Sequence, residues 1–227
     1  MDIPQKLLID AEKNNNVAGY EIISIHGKEI EYVVAGKMIA VVSKNDRNDK
    51  IYKLLQENCD VISCTTSNMD DFPFYPVPSL TIFAHDSKGN RFGTIGGMCD
   101  LVSDDYPVGY INQHGMYGKI SSSLKEFFEL VIFYPYWGDI IKYEQMGLAY
   151  DIDNMEMKQW ANNSKYFENQ SELSEILKLS KNPKSIELLI SNMRSESGFV
   201  VYSSIDEAKI TNMFVEDIFD EEYYNVD

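Results

Sequence analysis

The sequence predicts an α+β fold with a mixed, largely antiparallel sheet and helices packed on it. Strand-like apolar segments dominate the first two thirds of the 227 residues, whereas the remainder follows helical periodicity. Glycine turns between neighbouring strand segments favour antiparallel hairpins. We therefore expect a core domain over residues 1–150. A mainly helical extension over 151–227 is expected to pack on that core and to end in an acidic tail.

The N-terminal region is expected to hold one helix followed by strands. Residues 4–13 follow a helical spacing, which three consecutive asparagines would end. The apolar segments 20–25, 29–34 and 38–42 are separated by glycine turns and predict an antiparallel meander.

A second helix is expected over residues 45–58. Its predicted apolar stripe runs through Ile51, Leu54 and Leu55 and reaches Asn58, at the 3.6-residue spacing of a helix. A strand should follow at residues 60–66, and the proline- and aspartate-rich residues 67–78 predict a loop.

The middle of the chain has the clearest pattern. Residues 80–84 and 91–95 predict a hairpin, with Gly89 supplying the positive φ of its turn. Residues 107–112 predict the next strand.

A helix is then expected to open near Ser121 or Ser122. Ser123 and Glu126 fit a capping box, and Pro135 and Gly138 would end the helix. The last third predicts helices over 154–161, 171–179 and 183–194 and a short strand over 199–202.

Charge restricts the class of partner. The net charge is −16, and more than half of the excess lies in residues 151–227, which hold sixteen acids and seven bases. This field repels nucleic acid and anionic membranes, and it attracts basic proteins. The acidity also serves solubility alone in many proteins, so both interpretations stay open.

The compartment follows from three further observations. No cationic segment followed by an apolar run opens the chain, and no stretch of about 18 apolar residues occurs. The cysteines Cys59, Cys64 and Cys99 are odd in number and follow no framework spacing, so we expect buried, reduced thiols. These features predict a cytoplasmic protein without a membrane span.

No catalytic constellation emerges from the residues, so we expect no enzyme, no cofactor and no metal. His85, Cys99 and His114 match no zinc spacing. Paired loop acids are the alternative: they would suit a small-molecule or sugar-acting enzyme. That alternative predicts a pocket faced by Asp105, Asp139 or His114. The acid pairs are Asp70/Asp71, Asp104/Asp105 and Asp151/Asp153.

Residues 74–143 resemble the SUKH superfamily, which includes bacterial immunity proteins and the fungal cell-wall synthesis regulator. The similarity lies in a strand ending at Ala84-His85-Asp86, the glycine-turn hairpin, the Pro107-Val108 strand and the helix opening with Ser123-Leu124. The resemblance implies a SUKH-like sheet with packed helices. It also implies cytoplasmic binding of a toxin domain without catalysis; a cell-wall or regulatory binding role is the alternative within the family.

A basic, nuclease-type toxin would suit the negative field as a partner, since opposite charges steer association. Aromatic residues beside acids are expected to anchor such a partner, although covering the core beneath two loops is their alternative role. The predicted docking residues are Asp70, Asp71, Phe72, Phe74, Tyr75, Asp104, Asp105 and Tyr106. A third hypothesis is a nucleic-acid mimic whose tail at 214–227 imitates phosphates. No motif specifies the oligomeric state.

Overall fold

The structure is a computed structural model. It describes residues 9–16, 25–26, 29–34, 37–41, 50–63, 73–78, 80–96, 106–160 and 165–211, with side chains from residue 50 onward except at 81 and 158–160. The strands in these ranges are β1 Ile9–Asn16, β2 Ile25–His26, β3 Glu29–Val34, β4 Lys37–Val41, β5 Ile62–Ser63, β6 Tyr75–Val77, β7 Leu80–His85, β8 Arg91–Ile95, β9 Val108–Ile111, β10 Tyr117–Ser121 and β11 Val200–Tyr202. The helices are α1 Lys50–Cys59, α2 Leu124–Phe133, α3 Trp137–Met146, α4 Ile152–Trp160, α5 Tyr166–Leu177, α6 Ser185–Arg194 and α7 Ile205–Ile210.

The described strands form three antiparallel sheets. A five-stranded sheet has the order β10-β9-β8-β7-β5, a four-stranded sheet the order β1-β4-β3-β2, and β6 pairs with β11. Helices pack on the five-stranded sheet, and this arrangement confirms the predicted α+β class.

The hairpin of β7 and β8 is confirmed. Leu80 pairs with Ile95 and His85 with Arg91, and Gly89 in the turn has a φ of 80°. The next strand, β9, pairs with β8 and returns through a second hairpin to β10.

The first predicted helix is wrong over its described part. Residues Ile9–Asn16 form a strand, and Ile9 pairs with Val41 while Asn16 pairs with Lys37. The backbone hydrogen bonds to β4 outweigh a local helical spacing that only three apolar residues supported. The predicted meander is confirmed next to it over the described residues, which include only Ile25 of its first segment.

Three further elements differ from expectation. Gly138 does not end a helix but lies inside α3, which starts two residues after Pro135. Residues 75–77 were expected in a loop and form β6, because β11 lies beside them. Helix α7 follows β11 and was not predicted. In each case a partner distant in sequence decides the structure.

The larger hydrophobic cluster lies between the five-stranded sheet and the helices. Phe83 and Phe92 of the sheet meet Phe127 of α2 and Leu173 of α5 in one buried cluster. Helix α6 packs on β10, and its Asn192 side chain donates to the Ile120 carbonyl oxygen at 3.1 Å. Elements on both sides of residue 150 therefore share one core.

A smaller cluster covers the opposite face of the sheet. Leu80, Ile95, Ile111 and Phe199 form it, with Phe74 packed against them. Because side chains alternate along a strand, Tyr110 contributes to the larger cluster and its neighbour Ile111 to the smaller one.

Candidate functional site

Three of the eight predicted docking residues lie in the described part of the chain: Phe74, Tyr75 and Tyr106. The other five, Asp70, Asp71, Phe72, Asp104 and Asp105, lie outside it. Of the two predicted docking loops, the structure therefore describes these aromatic residues but none of the four aspartates.

Phe74 is half-buried and covers the turn between β9 and β10. A Cβ atom added at Gly115 in that turn would lie 2.6 Å from Cε1 of Phe74. Tyr75 is half-buried and pairs with Tyr202 in the short β6–β11 ladder. Phe74 thus contributes to the smaller hydrophobic cluster.

Tyr106 lies at the other end of the same strand pair. A Cβ added at Gly96, just beyond β8, would lie 3.6 Å from its Cε1 atom. The pairing of Arg91 with Ile111 places the Phe74 contact at the opposite end of β8 and β9. Phe74 and Tyr106 are therefore separated by the length of these strands.

The structure contains a cleft of about 330 Å³ on the helix side of the sheet. It lies between the C-terminal end of α1, the β7–β8 turn and the start of α3, and we call it the hairpin cleft. Its aromatic lining consists of Phe92, Tyr110, Trp137 and Tyr166. Its charged lining consists of Glu57, Asp60, Asp86, Lys88 and Asp139, so four acids surround one lysine.

Asp86 builds the turn at one wall of the cleft. Its Oδ1 atom accepts from the backbone N–H groups of Lys88 and Asn90, each at 2.9 Å, and its Oδ2 accepts from the Asn90 side chain at 2.6 Å. An aspartate that accepts bonds from the following backbone fixes a turn locally. This buried carboxylate is therefore held in place with its negative charge beside the cleft.

Asp60 joins the end of α1 to the same turn. Its backbone is left-handed, with a φ of 53°, and its N–H donates to the Gln56 carbonyl oxygen at 3.2 Å. Its carboxylate accepts from the Ser87 N–H at 3.0 Å and from the Ser87 hydroxyl at 2.7 Å. Two walls of the cleft are thus tied together through one side chain.

Asn58, the penultimate residue of α1, has an unusual environment. Its residue is only 8% exposed, and neither its Nδ2 nor its Oδ1 atom has a hydrogen-bond partner in the part of the chain that the structure describes. Buried polar atoms normally have partners, because leaving one unsatisfied costs roughly 1–3 kcal/mol. Asn58 therefore holds an unpaired donor and an unpaired acceptor inside the wall of the cleft.

The phenols and the thiol of the cleft stay protonated at neutral pH. Burial raises the pKa of Tyr110 to about 12, and the Asp86 carboxylate adds to that rise. Burial likewise raises the pKa of Tyr166, whose hydroxyl donates to the Ile132 carbonyl oxygen at 2.8 Å. Burial also raises the pKa of the Cys59 thiol, which confirms the predicted buried thiol at this position. A protonated phenol or thiol is a poor nucleophile.

Neither His85 nor His114 lines the cleft. His85 is half-buried, with Nδ1 3.0 Å from the Asp86 carbonyl oxygen, and His114 is exposed in the β9–β10 turn. Among the residues that the structure describes, no three histidine, cysteine or acidic side chains are grouped to hold a metal ion. Cys99 lies outside those residues.

The sequence contained one signal for this cleft. Asn58 falls on the apolar stripe of α1, beside Leu54 and Leu55, where a buried amide is unexpected. Asp139, named with the enzyme alternative, lines the cleft, whereas His114 does not. The meeting of α1, the hairpin turn and α3 required the tertiary structure.

A second concavity of about 480 Å³ lies between α4 and α6. Apolar Ile152, Ile186 and Ile190 line it together with the pair formed by Lys181 and Glu156, whose Nζ and Oε1 atoms are 3.6 Å apart. Glu187 is the other charged residue that lines it.

The described helices reach at most 12 residues, and none of them has the length and hydropathy that crossing a bilayer requires. Comparisons with protein-family models, with curated proteins and with solved structures find no match to this chain.

Proposed function

We propose that this chain is a non-catalytic binding protein that neutralises a basic toxin domain in the cytoplasm, as immunity proteins do. The observation that supports it best is the hairpin cleft, where four acids and one lysine surround an aromatic floor. Aromatic anchors ringed by charge are typical of protein interfaces. The net charge of −16 would steer a basic partner towards such a surface.

The binding role also agrees with the state of the reactive groups in the cleft. The Cys59 thiol is buried with a raised pKa. The Asp60 carboxylate accepts from Ser87, and the Asp86 carboxylate accepts from the backbone of the β7–β8 turn. Carboxylates engaged in this way hold the surface in shape.

Of the predicted loop aromatics, Phe74 lies at the same end of the sheet as the cleft and would extend the docking surface. Tyr106 lies at the opposite end, so only a partner that also spans the β8–β9 pair would contact it. Both are half-buried, and each covers a glycine at an end of the β8–β9 pair. The hairpin cleft lies on the helix side of the sheet, whereas Phe74 packs on the other face. A partner that contacts both the cleft and Phe74 would cover the β7–β8 and β9–β10 turns, which lie at the same end of the sheet.

Co-expression with the product of the neighbouring open reading frame tests the proposal. We expect that product to be basic, to co-purify with this chain and to lose its toxicity in the presence of the chain. The association rate should fall about tenfold or more between roughly 10 mM and 150 mM salt, because screening removes the steering. Undiminished toxicity together with no co-purification would refute the proposal.

The second candidate is an enzyme that uses loop carboxylates on a small molecule or a sugar. One observation favours it: Asp139 lines a concave cleft together with Asn58 and several aromatic side chains. This candidate predicts that Asp139→Asn abolishes turnover while leaving ligand binding measurable. If the D139N variant still binds and neutralises a protein in full, that result would count against a catalytic role for the Asp139 carboxylate.

A further inference from the structure

We propose that the hairpin cleft binds the guanidinium group of an arginine side chain presented by the basic partner. This inference rests on the proposed function, because it assigns the arginine to a protein. It adds the chemical group that is recognised and the side chains that recognise it.

The first support is the unsatisfied amide of Asn58. Its Oδ1 and Nδ2 atoms are buried without partners in the described part of the chain, although the residue lines the cleft. Both atoms have almost no exposed surface, so the Asn58 side chain must turn towards the cleft before it can bind a ligand. A guanidinium N–H would then donate to Oδ1, and a backbone carbonyl oxygen of the same partner segment would accept from Nδ2. An arginine-containing peptide therefore satisfies both atoms, whereas a bare cation satisfies only Oδ1.

The second support is the arrangement of charge. Glu57 and Asp139 are exposed at the rim, and Asp60 and Asp86 are fixed at the turn side by the bonds described above. The C-terminal end of α1 adds the negative pole of a helix dipole, and α1 has no basic residue in its last turn. Asp139 lies in the first turn of α3 and offsets the positive pole of that helix.

The third support is the shape and chemistry of the floor. A planar, weakly hydrated guanidinium stacks on aromatic rings, and its five N–H donors reach carboxylates on more than one side. Trp137, which is 5% exposed, and half-buried Tyr166 line the cleft together with Asp60 and Asp139. The cleft volume of about 330 Å³ is at the small end of ligand sites, which suits one side chain with part of its backbone.

A capped Gly-Arg-Gly peptide is the direct probe. Trp160→Phe leaves Trp137 as the single tryptophan of the chain, so its fluorescence reports on the cleft. We expect a saturable change with a dissociation constant on the order of 1 mM. The matching lysine and citrulline peptides should bind about tenfold more weakly, because they lack the planar charge or the charge altogether.

Two variants locate the site. Asn58→Leu should stabilise the free protein, since it removes two unsatisfied buried atoms, while weakening the arginine peptide about tenfold. Glu57→Gln combined with Asp139→Asn should weaken the arginine peptide by a similar factor. Glu175→Gln combined with Glu196→Gln is the matched control: both acids are exposed, outside the cleft lining, and the net charge changes equally.

Equal titrations by the arginine and citrulline peptides, or equal binding of the lysine peptide, would overturn the assignment of a guanidinium. The Glu57→Gln/Asp139→Asn protein is the cleft variant, and the Glu175→Gln/Glu196→Gln protein is its control. An equal loss of arginine-peptide affinity in both would overturn the assignment of the site to the cleft. A toxin partner that binds N58L and the cleft variant at full strength would overturn the inference but leave the proposed function standing. Arginine-peptide binding without any neutralised protein would refute the proposed function alone.

Discussion

Gly115 illustrates how one residue supports the packing at the end of the sheet. Its φ is 77°, and a Cβ atom there would lie 2.6 Å from Cε1 of Phe74. Gly198 has a similar φ of 81°, but nothing lies within 4 Å of an added Cβ. A side chain at Gly198 would therefore meet backbone strain alone, whereas one at Gly115 would meet backbone strain and steric overlap with Phe74.

We expect Gly198→Ala to cost roughly 1–2 kcal/mol of unfolding free energy through backbone strain alone. Gly115→Ala should cost that amount plus about 1–3 kcal/mol, because Phe74 must move within the smaller cluster. Urea denaturation of both variants measures the difference. Equal losses at the two positions would contradict the close contact with Phe74.

Glu129 is a buried carboxylate on α2 with a pH-dependent role. The residue is 7% exposed, and burial raises its pKa above the ordinary value of 4.5, although Lys125, 4.0 Å away, acts in the opposite direction. An acid with a raised folded-state pKa binds protons more tightly when folded. Its contribution to stability therefore falls as pH rises from about 4.5 through the folded-state pKa.

We expect Glu129→Gln to be more stable than the parent chain at pH 7, since the amide carries no charge to desolvate. The advantage should shrink as pH is lowered towards 4, where the parent carboxyl is protonated. Thermal denaturation across this pH range measures it, with exposed Glu175→Gln as the control. A constant difference at every pH would contradict the role assigned to burial.

At the scale of elements, the start of α2 shows a local signal that tertiary structure preserved. Ser123 is the N-cap, and its hydroxyl oxygen accepts from the Glu126 N–H at 3.1 Å. The Glu126 carboxylate accepts in turn from the Ser122 N–H at 2.9 Å, one residue earlier than in the usual capping box. The predicted capping interaction of Ser123 with Glu126 therefore forms, but the Glu126 side chain bonds to the N–H of Ser122 instead of that of Ser123.

Ser123→Ala should cost about 1 kcal/mol, because the N–H of Glu126 loses its acceptor at the end of a buried helix. Ser122→Ala is the matched control: its side chain is exposed, and only its backbone N–H takes part, so we expect less than about 0.5 kcal/mol. Chemical denaturation distinguishes them. Similar losses in both variants would contradict the assignment of Ser123 as the cap.

Elements were predictable where the pattern was local. The β7–β8 hairpin followed from Gly89 and its flanking apolar residues, and α1, α2 and α6 followed from helical spacing. Residues 9–13 were not predictable in this way, because a weak helical spacing competed with a strand partner 25 or more residues away in β4. Helix α3 was missed because Gly138 resembles a terminator, and nothing local shows that Trp137 packs against Phe92 with their ring centroids 5.5 Å apart.

At the scale of the whole molecule, the acidic tail separates the proposed function from nucleic-acid mimicry. Residues 214–227 contain six acids and no base. Deleting them should slow association with a basic partner, because steering is reduced, while leaving the dissociation rate within about twofold. A mimic that uses the tail as phosphates would instead lose binding. Stopped-flow association and dissociation measurements on the truncated chain make this distinction.

The sequence by itself determined the fold class, the negative field, the main hairpin and the N-cap of α2, since each depends on composition or on residues close together in the chain. Only the tertiary structure decided the hairpin cleft. Asn58, Asp86 and Asp139 lie on three separate elements, and the site exists because α1 and α3 pack beside the same turn of the sheet. Their meeting depends on contacts between residues far apart in sequence, which periodicity and spacing do not encode.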